Sequence, residues 1–207
     1  MAETGLTVLA IVCTLKASPA KSSSELLATQ LLEEYAKAGV QGEFVRTADL
    51  RIRPGVSVDE GEGDQWPTLR SKILAADILL MCVPIWMGHA SSEAQRVLER
   101  LDADLATMDG EGRPILGGKV AVTAIVGNED GAHKATADLY QGLADVGFSI
   151  PSQGGTYWVG QAMKAVDYNE LEHMPREVTN ANDLVVTNST HLARLLRDNP
   201  YPPRSRP

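Results

Sequence analysis

Leu6-Thr7-Val8-Leu9-Ala10-Ile11-Val12-Cys13 is followed without a break by Thr14-Leu15-Lys16-Ala17-Ser18-Pro19-Ala20-Lys21-Ser22-Ser23-Ser24. The first eight residues are almost continuously apolar and rich in β-branched side chains. That is the pattern of a central parallel strand covered on both faces. From Ser24 onward Leu26, Leu27, Leu31, Leu32 and Tyr35 recur at helical spacing, and Gly39 stands where a helix ends. The polar stretch therefore joins a buried strand to the N-terminus of a helix. Free amides, the positive end of the helix dipole, hydroxyls and two lysines meet there, a combination suited to an anion. One serine is accounted for by capping alone, but three serines and two lysines go beyond a cap. Neither G-x-x-x-x-G-K-[ST] nor G-x-G-x-x-G occurs in this turn, so a single terminal phosphate fits better than a nucleoside triphosphate or a dinucleotide.

Working outward, Gly42 to Ala48 reads as a short alternating strand, and Asp49 to Gln65 as a mobile Gly- and acid-rich loop whose run Asp59 to Asp64 is a candidate gate. Trp66-Pro67 opens a helix, with Pro67 at its first position. Asp77 to Val83 is a second buried strand, broken by Pro84. Ser91 or Ser92 caps the next helix, Lys119 to Val126 is a third buried strand, and a helix follows from Ala132 to Val146. Phe148 to Pro151 supplies the last strand, an irregular stretch runs to Gly160, and a final helix spans Arg176 to Arg197. Strands alternating with helices imply right-handed crossovers and an α/β three-layer sandwich around a five-stranded parallel sheet in order 2-1-3-4-5. Ligands of such sheets sit beyond the carboxyl ends of the strands, where the winding reverses. The loops leaving strands one, three and four should converge there.

The 207 residues suit one domain, with a core over about 6–198 and an extended tail over 199–207 carrying four prolines. A net charge of −8 argues against nucleic acid as the main partner. The N-terminal apolar run is too short to span a bilayer and lacks a basic flank, so a cytoplasmic protein with no membrane partner is expected. Cys13 and Cys82 close buried strands, with no C-x-x-C spacing, and read as reduced thiols rather than metal ligands or a disulfide. His89, His173 and His191 form no H-x-x-x-H pair, so no metal is assigned.

The loop after strand three, Pro84-Ile85-Trp86-Met87-Gly88-His89, is unusually apolar: it either carries a flat apolar ligand or buries against the core or a partner subunit. The loop after strand four, Gly127-Asn128-Glu129-Asp130-Gly131-Ala132-His133, aims backbone amides at a heteroaromatic edge, or is a turn capped by Asp130.

Together the three segments resemble the NADPH-dependent FMN reductase and flavodoxin-like NAD(P)H:quinone oxidoreductase family. The resemblance implies that Thr14, Lys16, Ser22, Ser23 and Ser24 hold the FMN phosphate. It implies that Pro84, Ile85, Trp86, Met87 and Gly88 line the isoalloxazine ring, with Gly127, Asn128, Glu129, Asp130 and Gly131 along its far edge and His133 available to assist. Lys16 stands where the family often has arginine, and Trp86 where it often has tyrosine. The implied activity is FMN-dependent hydride transfer from NADPH or NADH to a small acceptor, such as a quinone, an azo or nitroaromatic compound, or a flavin. No catalytic acid–base pair is expected, because the cofactor carries the chemistry. A homodimer or homotetramer is implied. The alternative is a flavodoxin-like electron carrier serving a protein partner.

Overall fold

The computed structural model describes residues 5–160 and 164–203. Five parallel strands, β1 (Thr7–Val12), β2 (Gln41–Arg46), β3 (Ile78–Trp86), β5 (Val120–Val126) and β6 (Gly155–Trp158), lie in order β2-β1-β3-β5-β6. A two-residue strand, β4 (His89–Ala90), folds back antiparallel on the end of β3. Setting that hairpin aside, the order is the flavodoxin-like 2-1-3-4-5.

The unbroken apolar character of β1 has a direct structural cause. Leu9, Ile11 and Cys13 point to a core formed with α2 (Trp66–Ala75), α3 (Ser92–Leu101) and α4 (Ala132–Asp145). Val8, Ala10 and Val12 point to a second core formed with α1 (Ser23–Lys37) and α5 (Arg176–Asp198). Successive strand side chains face opposite sides, so a strand covered on both needs apolar residues at every position. Where β2 lies at the sheet edge, residues 41–44 are exposed.

Two strands differ from the sequence-based expectation. β3 does not stop at Pro84 but continues to Trp86, pairing with β5 as far as Pro84↔Val126. Its pairing with β1 ends at Cys82, so no ladder on that side needs the N–H that proline lacks. The last strand is Gly155–Trp158 rather than Phe148 to Pro151, where Ser149 makes only an isolated bridge to Val120. Phe148 is buried in the core beneath α3 and α4, as its hydrophobicity requires, but Pro151 and the turn at Gly154 delay the strand.

The loop over 51–64 is anchored rather than mobile. Fully buried Arg100 donates from Nη1 to Arg53 O (2.9 Å) and from Nη2 to Ser57 O (2.9 Å) and Asp64 Oδ2 (2.8 Å), with its guanidinium over the Trp66 ring.

Cys13 and Cys82 are both free and buried on adjacent strands. Burial pushes both thiols well above their ordinary range. Of the tail, residues 199–203 carry no regular structure, and Tyr201 Oη lies 2.9 Å from Ser149 Oγ. Among the described residues no helix is long and apolar enough to cross a membrane.

Candidate active site

Beyond the carboxyl ends of β1, β3 and β5 lies an open cleft of about 180 Å³. Its floor and walls come from the turn after β1 and the start of α1 (Thr14, Leu15, Lys16, Lys21, Ser22, Ser23, Ser24). The end of β3 (Pro84, Ile85, Trp86) and the end of β5 with its loop (Val126, Gly127, Asn128, Glu129) add two more sides. A fourth side is Trp158 together with Asp167, Tyr168 and Asn169.

At the α1 end, Ser22 is the N-cap, its Oγ accepting the Glu25 amide at 3.3 Å, while its carbonyl takes the Leu26 amide. The amides of Ser23 and Ser24 precede the first intrahelical bond and have no partner among the described residues. Ser23 and Ser24 line the same cleft as Lys16 and Lys21. Ser24 is buried, and Ser23 Oγ accepts from the Asn169 amide at 3.3 Å. This end therefore presents unfilled donors and positive charge to whatever enters.

The β3 end is a tight hairpin. Trp86 pairs with His89 across Met87 and Gly88, whose φ angles of 54° and 74° give the twist of a type I′ turn. Trp86 is half exposed and Met87 is 87% exposed. Behind the tip, Glu129 accepts the Met87 amide on Oε1 (3.1 Å) and the Gly88 amide on Oε2 (3.2 Å). Gly131 packs so tightly on Gly88 that a Cβ there would lie 2.7 Å from the Gly88 carbonyl oxygen. The loops leaving β3 and β5 are thus locked together.

Of the residues expected at the site, Thr14, Lys16, Ser22, Ser23, Ser24, Pro84, Ile85, Trp86, Gly127, Asn128 and Glu129 line the cleft. Met87, Gly88, Asp130, Gly131 and His133 do not. Met87 and Gly88 form the hairpin tip, and their amides are engaged by Glu129 instead of facing an empty space. Gly131, not Asp130, is the N-cap of α4 and makes no side-chain cap bond. His133 packs its ring edge-on against Tyr157, with centroids 5.1 Å apart.

Leu15, Val126, Trp158, Asp167, Tyr168 and Asn169 were not anticipated. The run Thr156-Tyr157-Trp158-Val159 carries a strand signature that would have placed Trp158 at a strand end. Nothing local marks 167–169. That segment is held across the cleft by Asn128 Nδ2 donating to Asp167 Oδ1 (3.1 Å) and by Tyr168 Oη donating to Gln30 Oε1 (2.7 Å). Burial pushes the Tyr168 phenol up to about 12, so it stays a neutral donor.

A flavodoxin-like sheet with an anion-ready helix N-terminus and an aromatic wall at its switch point defines a class of nucleotide-phosphate binding α/β proteins. Within that class the chain belongs to the NADPH-dependent FMN reductase family, whose model matches residues 6–164. It is 34% identical to the divalent metal cation transporter MntH of Mycobacterium bovis, over 98% of this chain but 30% of that protein. It is 33% identical to 8-demethyl-8-aminoriboflavin-5′-phosphate synthase of Streptomyces davaonensis, over 95% of this chain and 80% of that one. Its fold superposes on the crystal structure of RosB with its bound intermediate 8-demethyl-8-formylriboflavin-5′-phosphate at a TM-score of 0.85 and 31% identity, covering 95% of this chain and 82% of that one. An NADH:FMN oxidoreductase in its apo form, 18% identical with a TM-score of 0.62 and matching 94% of this chain and 92% of its own, shares the fold.

Proposed function

We propose that the chain is a flavoenzyme domain that holds FMN in this cleft, accepts reducing equivalents from NADPH or NADH and delivers them to a small acceptor. The observation that carries this reading is the pairing, in one cleft, of Ser23 and Ser24, whose amides have no partner among the described residues, beside Lys16 and Lys21, with an apolar wall of Ile85, Trp86 and Trp158. A phosphate fits the first end and a flat ring system the second. Gly127 fits the same demand. Its backbone lies so near Ile85 that a Cβ would stand 2.9 Å from the Ile85 Cβ, which keeps the wall between β3 and β5 thin.

When bound, FMN supplies hydride acceptance and onward electron transfer. The chain's own residues do the rest. Lys16, Lys21 and the α1 terminus balance the phosphate charge. Trp86 and Trp158 exclude water from the ring. Glu129 would have to release the Met87 and Gly88 amides for them to serve the ring, and Asn128 and Glu129 would flank it on the β5 side. The exposed Trp86, Met87 and Tyr157 beside the cleft support a homodimeric or tetrameric assembly in which a partner covers the ring. The two free buried thiols suit a reducing, cytoplasmic setting.

A second reading follows from the synthase and RosB: a riboflavin 5′-phosphate enters the same cleft as a substrate to be modified at its ring rather than as a resident cofactor. One experiment separates the two. Purified protein receives FMN, its absorbance is followed anaerobically with stoichiometric NADPH and then NADH, and the flavin is recovered for mass analysis after aerobic incubation. Bleaching with unchanged flavin mass supports the reductase. A changed flavin mass supports the modifying enzyme, and bound flavin that neither donor reduces, of unchanged mass, leaves an electron carrier. Failure to bind FMN would end all three.

A further inference from the structure

The donors that face the cleft are only half of what makes its α1 end selective for an anion. A turn also carries carbonyl oxygens, and any that faced the cleft would repel a phosphate. In and beside the turn after β1, five of them are engaged by other groups of the chain. Thr47 Oγ1 donates to Val12 O (3.2 Å) and Ser91 Oγ to Cys13 O (2.7 Å). The Ala20 amide donates to Ala17 O (3.1 Å). Arg46, at the end of β2, holds two more with a single nitrogen: its Nη1 donates to Lys16 O (3.1 Å) and Ala20 O (3.0 Å). Because the C=O of one residue and the N–H of the next point oppositely across a trans peptide, these bonds direct the Thr14, Ala17 and Lys21 amides away from the anchoring side chains. None of the three has a partner among the described residues.

Arg46 is built into place. Its side chain is 2% exposed, and its Nε and Nη2 both donate to Glu25 Oε2 on the first turn of α1, at 2.9 Å for Nε. The guanidinium thus joins three parts of the anion site: the two ends of the turn through their carbonyls, and the helix through its acidic residue. A planar fork is needed for this. A lysine ammonium in the same place reaches Glu25 or a carbonyl but not all four contacts.

We propose that Arg46, seated by Glu25, is the positioning residue that gives the β1–α1 turn its anion-binding polarity, and so determines preference for a 5′-phosphorylated flavin over the unphosphorylated one. Arg46 does not line the cleft and acts on the phosphate only through the orientation of the turn. This inference rests on the reading that a flavin phosphate occupies the α1 end.

The test measures dissociation constants for FMN and for riboflavin, by quenching of flavin fluorescence, in the full-length wild type, R46M, R46K and E25Q, with thermal midpoints recorded alongside. In the wild type FMN binds more tightly than riboflavin. In R46M that preference falls by at least about tenfold, the scale of one charged hydrogen bond, while riboflavin affinity stays within about threefold of wild type. R46K, which keeps both charges but loses the planar fork, and E25Q, which keeps the guanidinium without its carboxylate, lie between. A preference unchanged in R46K, E25Q and any folded R46M overturns the proposal. So does an equal loss for both flavins, which assigns Arg46 to holding the fold. A wild type indifferent to the phosphate refutes the occupancy of the α1 end itself, a failure visible before any variant is measured.

Discussion

Replacing Gly131 with alanine perturbs the joint between the loops leaving β3 and β5 without touching a residue that lines the cleft. Its φ of 130° lies outside the range an L-residue adopts comfortably. The added Cβ would also meet Gly88 at 2.7 Å from its oxygen and 2.8 Å from its carbonyl and α carbons, all backbone atoms unable to swing aside. The backbone term alone is about 1–3 kcal/mol, and separating the loops adds to it, for a total of roughly 2–4 kcal/mol. In a domain of this size that corresponds to a fall in Tm of about 4–16 °C. Gly88 provides the internal control. It too has a positive φ, 74°, but a Cβ there would meet only the Asp130 oxygen, at 3.8 Å. G88A therefore carries the conformational cost alone, about 1 kcal/mol. Thermal and urea unfolding of the two variants, with FMN titration of each, measures the difference. G131A should be clearly the less stable and should bind FMN more weakly, because parting the loops releases the Met87 and Gly88 amides from their register. Equal midpoints for G131A and G88A, with unaltered FMN affinity, would refute the claim that this contact sets the cleft's geometry.

Two other outcomes are expected. Burial raises the pKa of Asp64, but the amides of Glu60, Arg53 and Trp66 and the guanidinium of Arg100 outweigh it and hold the carboxyl below its usual value. Its contribution is therefore whole above about pH 4 and is lost as the pH falls below it. D64N, which strands buried Arg100, should lose about 3–5 kcal/mol at neutral pH and flatten the acid limb of a stability-versus-pH curve, and an unchanged limb would count against the pairing. At the cleft, E129Q weakens the acceptor that holds the Met87 and Gly88 amides, so FMN should bind about fivefold tighter, the difference between a charged and a neutral hydrogen bond. Weaker binding would show instead that Glu129 contacts the ligand directly.

What could be read in advance follows from the range over which each interaction acts. β1, its turn and α1 are legible because strand burial, capping and helical spacing are local: Leu6 to Cys13 must be covered on both faces, and Ser22 caps α1 from within its own first turn. The order of the sheet follows because crossover handedness leaves few alternatives. Errors begin where a distant residue decides. Phe148 to Pro151 has strand composition, yet the chain needs the turn at Gly154 before it can pair with β5. The run 51–64 has the composition of a mobile loop, and no local signal tells that Arg100, 36 residues beyond Asp64, is buried against it. Lys16 and the serines, which line the cleft, point to the proposed anion site through their own chemistry. Arg46 and the 167–169 segment contribute through contacts 21 and 146 residues away in sequence, to Glu25 and Ser23 respectively, so neither was visible.

Those distant contacts bear on how a chain with a net charge of −8 would favour the proposed anionic ligand. Surface carboxylates beyond about 10 Å are screened at ordinary ionic strength, so the overall charge mainly affects the rate of encounter. Affinity is set within a few ångströms, where Lys16, Lys21 and the α1 amides are the positive groups and turn carbonyls would be the negative ones. Adding another lysine to the rim would raise the first contribution only a little, because exposed charges are well solvated. Turning carbonyls away removes a repulsion that acts in the desolvated interior of the site, where electrostatic interactions are stronger. A buried arginine holding Lys16 O and Ala20 O is therefore a more effective source of anion selectivity than further surface charge. It also leaves the rest of the surface free to remain acidic.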